Sequence, residues 1–324
     1  MRKTTMDLTI IIPLLNEEES LPELHSWILK TVEPLQLSFE VLFIDDGSTD
    51  NSWECIRTLC EHNKNTQGIR FARNFGKSQA LHAGFAKAKG NVVITMDADL
   101  QDSPDEIPTL YQRLLTEELD ILSGWKKKRY DSVLFKNIPS KLFNWAARKS
   151  SGIYLHDFNC GLKAYRKEVI KTVEVYGEMH RYIPVLAAHK GFNRIEEQIV
   201  QHQARKYGVT KFGLSRFING FLDLITLSFL HRFGKRPMHF FGLWGTILFL
   251  IGFSFAAYLG IDKIYFTTDG RLIAQRPEFY IALTTMIIGS QFFLAGFLGE
   301  LMVGQQKNSS RYSISEYLTT SNDT

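Results

Sequence analysis

Cysteine is scarce in this chain: Cys55, Cys60 and Cys160 are the full set. Their spacing fits neither a metal ribbon nor a disulfide framework, which leaves no redox role and points to a reducing compartment. No G-x-G-x-x-G turn follows the first strand-like run, which argues against a dinucleotide cofactor. The N-terminus, Met1 to Asp7, is short and polar and lacks the apolar core of a signal peptide, so the leading part is expected to stay in the cytosol. Internal repeats and low-complexity tracts are also missing. Neither sign of charge dominates: the 324 residues carry a net charge of +4, and no nucleic-acid partner is expected.

Hydrophobic residues make up 44% of the chain, enough for a sizeable core and a second unit. Apolar runs at Leu8–Ile12, Val41–Ile44, Gly68–Phe71, Asn91–Met96 and Asp120–Ser123 read as strands. Helical periodicity covers Ser20–Val32, Asn51–His62 and Ser78–Lys89. This alternation predicts an α/β fold with a doubly wound, mostly parallel sheet.

The ends of these strands carry polar clusters. The first runs into Pro13-Leu14-Leu15-Asn16-Glu17, which either accepts hydrogen bonds from a base or sugar or decorates a helix start with Asn16 as cap. The second ends in Asp45-Asp46-Gly47-Ser48, a site for a nucleobase or ribose, or else an Asp-rich turn. The third leads to Arg73-Asn74-Phe75-Gly76-Lys77, where cations and free helix N–H groups suit a phosphate. The fourth ends in Asp97-Ala98-Asp99-Leu100-Gln101-Asp102, whose oxygen donors suit Mg²⁺ or Mn²⁺ holding a diphosphate. Ligands of open α/β sheets bind at the carboxyl ends of the strands. Four polar clusters on one sheet edge are hard to explain as independent turns.

Two uncharged stretches, Phe240–Ile261 and Phe279–Gly299, each reach the roughly 20 apolar residues that span a bilayer. Tyr258, Tyr265, Phe266 and Tyr280 suit an interfacial belt. Gly252, Ala256 and Gly260 permit close helix approach, and with it a homo-oligomer. Flanking Arg and Lys residues place both ends of this hairpin in the cytosol. The expected domains are 1–211 as the cytosolic catalytic part, 212–238 as interfacial amphipathic helices, 239–303 as the hairpin and 304–324 as a polar tail.

The motifs Pro13-x-x-Asn16-Glu17, Asp45-Asp46-Gly47-Ser48, Asp97-x-Asp99-Leu100-Gln101 and His156-Asp157-Phe158-x-Cys160-Gly161-Leu162-x-Ala164-Tyr165-Arg166 resemble those of family 2 glycosyltransferases of the GT-A fold. The likeness is strongest to the polyprenyl-phosphate glycosyltransferases, a branch that includes bactoprenol glucosyltransferases, dolichol-phosphate mannose synthase and the undecaprenyl-phosphate aminoarabinose-precursor transferase. The hairpin and the Phe297-Leu298-Gly299-Glu300 ending strengthen it.

The resemblance implies that Pro13, Glu17, Ile44 and Asp46 form a nucleoside pocket. Asp97, Ala98, Asp99 and Gln101, with Lys77, would take the diphosphate, and Asp97, Asp99 and Gln101 the metal, Asp99 most directly. Arg205 and Lys211 match a segment that closes over donor phosphates, although Thr210 and Phe212 depart from its pattern. Lys126, Arg129, Lys136 and Lys141 are expected to meet the acceptor phosphate. Asp157 and Asp102 join Asp99 as catalytic candidates, Asp157 as orienter before base. The implied reaction is an inverting transfer of a hexose, with glucose from UDP-glucose as first choice, to a polyprenyl phosphate at the cytosolic face of the inner membrane, in cell-envelope glycan synthesis. A processive polysaccharide synthase is the rival, but Gln201-His202-Gln203-Ala204-Arg205 lacks the spacing and the Trp of its Gln-x-x-Arg-Trp motif. A non-catalytic membrane scaffold would not need the intact carboxylates.

Overall fold

The computed structural model describes residues 6–127, 148, 152–175, 177, 179–203, 206–207, 229, 233, 236–266 and 272–305. Strands β1 (Leu8–Leu14) and β2 (Phe39–Asp45) are buried along their whole length. They are followed by β3 (Thr66–Arg70), β4 (Val92–Thr95), β5 (Ile121–Trp125), β6 (Lys163–Arg166) and β7 (Ile195–Ile199). Helices α1 (Leu21–Val32), α2 (Ser52–His62), α3 (Lys77–Lys87), α4 (Ile107–Thr116), α5 (Lys167–Thr172) and α6 (Ile183–His189) run between and after them.

The strands form one sheet in the order β3-β2-β1-β4-β6-β5-β7. Pairs β1–β2, β1–β4, β2–β3 and β5–β7 are parallel, as helical crossovers require. The expected mostly parallel sheet is therefore present. Strand β6 is the departure: it runs antiparallel between β4 and β5 and separates them.

Strand periodicity distributes the core over both faces. Leu8, Ile10, Ile12 and Leu14 pack with Leu21, Leu24 and Ile28 of α1, Ile56 of α2 and Leu110 of α4. Ile11 faces the other way, with Leu81 and Phe85 of α3, Val169 of α5 and Ile183 of α6. Each such side chain contributes roughly 1.5–3 kcal/mol by leaving water. Buried Glu40 is satisfied by Thr9 Oγ1 at 2.7 Å, Lys89 N at 2.8 Å and Gln67 Nε2 at 3.2 Å.

A separate unit holds α7 (Pro237–Tyr265) and α8 (Pro277–Gln305). Both helices are long and apolar enough to cross a membrane, with mean hydropathies of 1.9 and 1.8. Tyr258, Tyr265, Phe266 and Tyr280 are exposed. Glycines bring the two backbones together. A Cβ on Gly245 would lie 2.6 Å from Phe293 N, and one on Gly289 2.6 Å from Phe249 N. Gly252 belongs to this seam, but a Cβ on Gly260 would meet nothing within 4 Å among the described residues, so the spaced small residues noted in the sequence serve the contact only in part. Charges pin the two ends: Met238 N donates to Glu300 Oε2 at 3.3 Å, and Arg276 pairs with Asp262 at 2.7 Å. The expected segments 212–238 and 304–324 lie almost wholly outside the described residues.

Candidate active site

The loops after β1 and β2 are stitched to each other. Asn16 N donates to Ser48 Oγ at 2.9 Å, Glu17 N to Ser52 Oγ at 2.9 Å, and Thr49 N to Asn16 Oδ1 at 2.8 Å. Asn16 is therefore not the cap of α1, a position held by Ser20. Its φ of +55° is a left-handed conformation that Asn tolerates better than most residues. Pro13 and Ile44, the last residues but one of β1 and β2, are paired in register, and Ile44 is fully buried.

Asp46 anchors the start of α3. Phe75 N donates to its Oδ1 at 2.7 Å and Gly76 N to its Oδ2 at 2.9 Å. Burial pushes its carboxyl up despite those two donors. The next residue, Lys77, opens the helix and forms an ion pair with Asp97 at the end of β4. Burial alone would raise the Asp97 carboxyl, but the charges of Lys77 and Lys126 outweigh it and hold it at about 2. Gly161 permits the geometry: a Cβ there would sit 2.6 Å from the Asp97 carboxylate.

Beyond Asp97, the loop turns through Leu100, a buried residue with φ +59°. A branched side chain held left-handed costs about 1–2 kcal/mol, and such strain gathers where a loop must present side chains. Gln101 N donates to Asp99 Oδ1 at 3.2 Å. The loop is clamped from outside by Gln203 N, which donates to Gln101 O at 2.9 Å, and by an antiparallel bridge between Asp102 and His202. Asp102 is fully buried, with Lys126 Nζ 2.6 Å from its Oδ1. Burial pushes the Asp102 carboxyl up against the pull of Lys126. Burial also opposes the charge on Lys126, and Asp102 more than compensates, so its ammonium is held above the ordinary lysine range.

Among the described residues, no three His, Cys, Asp or Glu side chains converge on a metal. Mg²⁺ does not need such a cage when phosphates supply the remaining oxygens: one or two carboxylates suffice. Asp97, 30% exposed at its side chain, and the largely buried Asp99 on one turn fit that requirement.

Behind Asp97 lies a cavity lined by Lys77, Thr95, Lys163 and His180. Lys163 is buried on β6 and donates to Cys160 O and, at 3.2 Å, to Phe158 O. Burial depresses its ammonium. His180 sits 3.1 Å from Ser78 Oγ through Nδ1 and again through its backbone N. Burial holds its imidazole well below the ordinary range. Asp157 is buried and accepts from Asn159 N at 3.0 Å, closing the turn that delivers Gly161. His156 stacks on Trp125 with centroids 4.2 Å apart and contacts Glu197.

The structure thus gathers Asp46, Lys77, Asp97, Ala98, Asp99, Gln101 and Asp102 at one sheet edge, with Pro13, Glu17 and Ile44 beside them. Lys126, expected to meet the acceptor phosphate, has its charge committed to Asp102, and its side chain is only 12% exposed. Arg129, Lys136, Lys141, Arg205 and Lys211 lie outside the described residues. The Asp157 motif includes Gly161 but says nothing of its contact with Asp97, and the contact of His180 with Ser78 joins residues far apart in the sequence. Lys163 offered no signal beyond its place in the Asp157 motif.

The profile of Glycosyl transferase family 2 matches residues 9–174. Dodecaprenyl-phosphate galacturonate synthase of Rhizobium johnstonii is 35% identical over 300 residues, 92% of this chain and 88% of the relative. Undecaprenyl-phosphate 4-deoxy-4-formamido-L-arabinose transferase of Shewanella sediminis is 36% identical over 301 residues, 90% of this chain and 86% of the relative. Among solved structures, glucosyl-3-phosphoglycerate synthase from Mycobacterium tuberculosis, in complex with Mg²⁺ and uridine diphosphate, gives a TM-score of 0.53 at 17% identity, over 70% of this chain and 79% of that one. That likeness shows the sheet to be of GT-A type. Sheet, strand-end carboxylates and relatives agree, and the chain belongs to family 2 of the glycosyltransferases.

Proposed function

We propose that this enzyme transfers a sugar from a nucleotide-diphosphate donor to a polyprenyl phosphate at the cytosolic face of a bacterial inner membrane. The observation that carries the reading is the reach of the likeness. Relatives named for dodecaprenyl and undecaprenyl phosphate align over 92% and 90% of the chain, too much to leave out the hairpin. Helices α7 and α8 would hold the enzyme where a lipid-linked acceptor resides.

In this reading Pro13, Glu17, Ile44 and Asp46 border the nucleoside. Asp97 and Asp99, with Gln101, would hold Mg²⁺ or Mn²⁺, which when bound neutralises charge on the departing diphosphate. Lys77, Arg205 and Lys211 add cations toward the same phosphates. Arg129, Lys136 and Lys141 are left for the acceptor phosphate, since Lys126 is held by Asp102. A phosphate monoester with a second pKa of about 6 is largely dianionic at neutral pH, so attack needs no strong base. Asp157 is accordingly an orienter, and in-line attack inverts the anomeric centre.

The sugar is open. The relatives are named for galacturonate and 4-deoxy-4-formamido-L-arabinose, and glucose has no support among them. The test is a donor screen with the full-length protein in detergent, undecaprenyl phosphate and Mg²⁺. UDP-glucose, UDP-galacturonate and UDP-4-deoxy-4-formamido-L-arabinose are each offered, and lipid extracts are analysed by mass. A single-sugar lipid product is expected. Polymer would indicate a synthase, and no donor-dependent product would leave a scaffold. Asp99→Ala is expected to cut turnover by roughly 10²–10³-fold, the scale for removing one preorganised electrostatic partner. Undiminished turnover would remove Asp99 from the site.

A further inference from the structure

Lys77 stands on the carboxylate that the proposed metal site needs. Its ammonium pairs with Asp97, and both side chains are about one-third exposed, at 31% and 30%. Lys126 also acts on Asp97, but it is tied to Asp102, in a side chain only 12% exposed. Of these two cations, Lys77 is the one free to leave. It sits at the N-terminus of α3, where an anion is favoured by the helix dipole. Asp46 fixes that terminus through Phe75 N and Gly76 N, so Lys77 is presented from a rigid base.

We propose that Lys77 is a resident placeholder cation, occupying Asp97 in the free enzyme and passing to the donor diphosphate as the divalent metal arrives. A bare divalent ion must displace an ammonium that has no better partner. A diphosphate supplies that partner, because charge-assisted hydrogen bonds to phosphate are strong. Metal and nucleotide therefore bind cooperatively, each raising the other's affinity by the same factor. The metal is kept off the empty site, and Lys77 is a positioning residue as well as a phosphate ligand. This inference rests on the reading of Asp97 and Asp99 as the metal and diphosphate site.

The test is Mn²⁺ binding, read from the loss of the free-ion EPR signal on the full-length protein in detergent, alone and with saturating UDP or GDP. For the wild type, Mn²⁺ alone is expected to bind weakly, and at least about tenfold more tightly with the nucleotide of its donor, within the usual range of coupling. Lys77→Gln is expected to bind Mn²⁺ alone about tenfold more tightly than wild type and to lose most of the nucleotide-dependent gain. Lys77→Arg keeps the charge and is expected to bind Mn²⁺ alone as weakly as wild type. Unchanged Mn²⁺ affinity in Lys77→Gln, or equal tightening in Lys77→Arg, overturns the proposal while leaving the metal site standing. Absence of Mn²⁺ binding to the wild type with either nucleotide overturns the site reading and this proposal together.

Discussion

At the scale of single residues, the site depends on what is left out as much as on what is supplied. Gly161 leaves room for the Asp97 carboxylate, and any Cβ would enter it at 2.6 Å. Gly161→Ala is expected to leave the fold intact, at a cost of about 1–3 kcal/mol for overpacking, and to raise KM for the donor more than it lowers kcat. A melting curve and steady-state kinetics check both. His25 is buried and His180 half-buried, and desolvation holds both imidazoles below the ordinary range. The unfolded chain then binds more protons than the folded one just below pH 6.5, so stability falls as pH drops through the interval between the unfolded and folded pKa values. Each histidine contributes up to about 1.4 kcal/mol per pH unit there. His25→Gln keeps a polar partner for Thr66 and is expected to flatten this slope between pH 6.5 and 5.5 in denaturant titrations. An unchanged slope would show that His25 is not part of it.

At the scale of elements, periodicity exposed the first five strands and α1 to α3 because each is an apolar or amphipathic run beside a polar turn. Strand β6 escaped that reading for a physical reason. Its four residues Lys163–Arg166 begin and end in a cation, and Lys163 spends its charge on carbonyls rather than on solvent. Strand β7, Ile195-Glu196-Glu197-Gln198-Ile199, is equally unmarked because it borders the sheet and needs little apolar surface. The carboxylates after β4 were legible since acids after a buried strand stand out. The partnership of Lys126 with Asp102 was not, because it joins elements that meet only in three dimensions. In the hairpin, Gly245→Leu is expected to drive α7 from α8 and lower the melting temperature in detergent, while Gly260→Leu, at a position where a Cβ meets nothing within 4 Å among the described residues, is expected to be neutral. Equal effects would refute the glycine seam.

At the scale of the whole molecule, one unit carries the carboxylates and the other carries the apolar surface. The protein is expected to remain in the membrane pellet after an alkaline carbonate wash, and recovery in the supernatant would remove the membrane reading. Strand β6 has a further consequence, in the order of events as the chain is made. β4 ends at Thr95 and β5 at Trp125, yet the strand that joins them begins only at Lys163. A nascent chain that has passed β5 still carries an open edge on β4, and open edges invite wrong pairing. The Asp97 loop at that edge waits for Gly161, which arrives with the same late strand. Sequence-distant closure of this kind slows folding. The Asp97 turn is thus among the last features of the sheet to settle, and a chain released early would hold its acids without the Gly161 turn that packs against them.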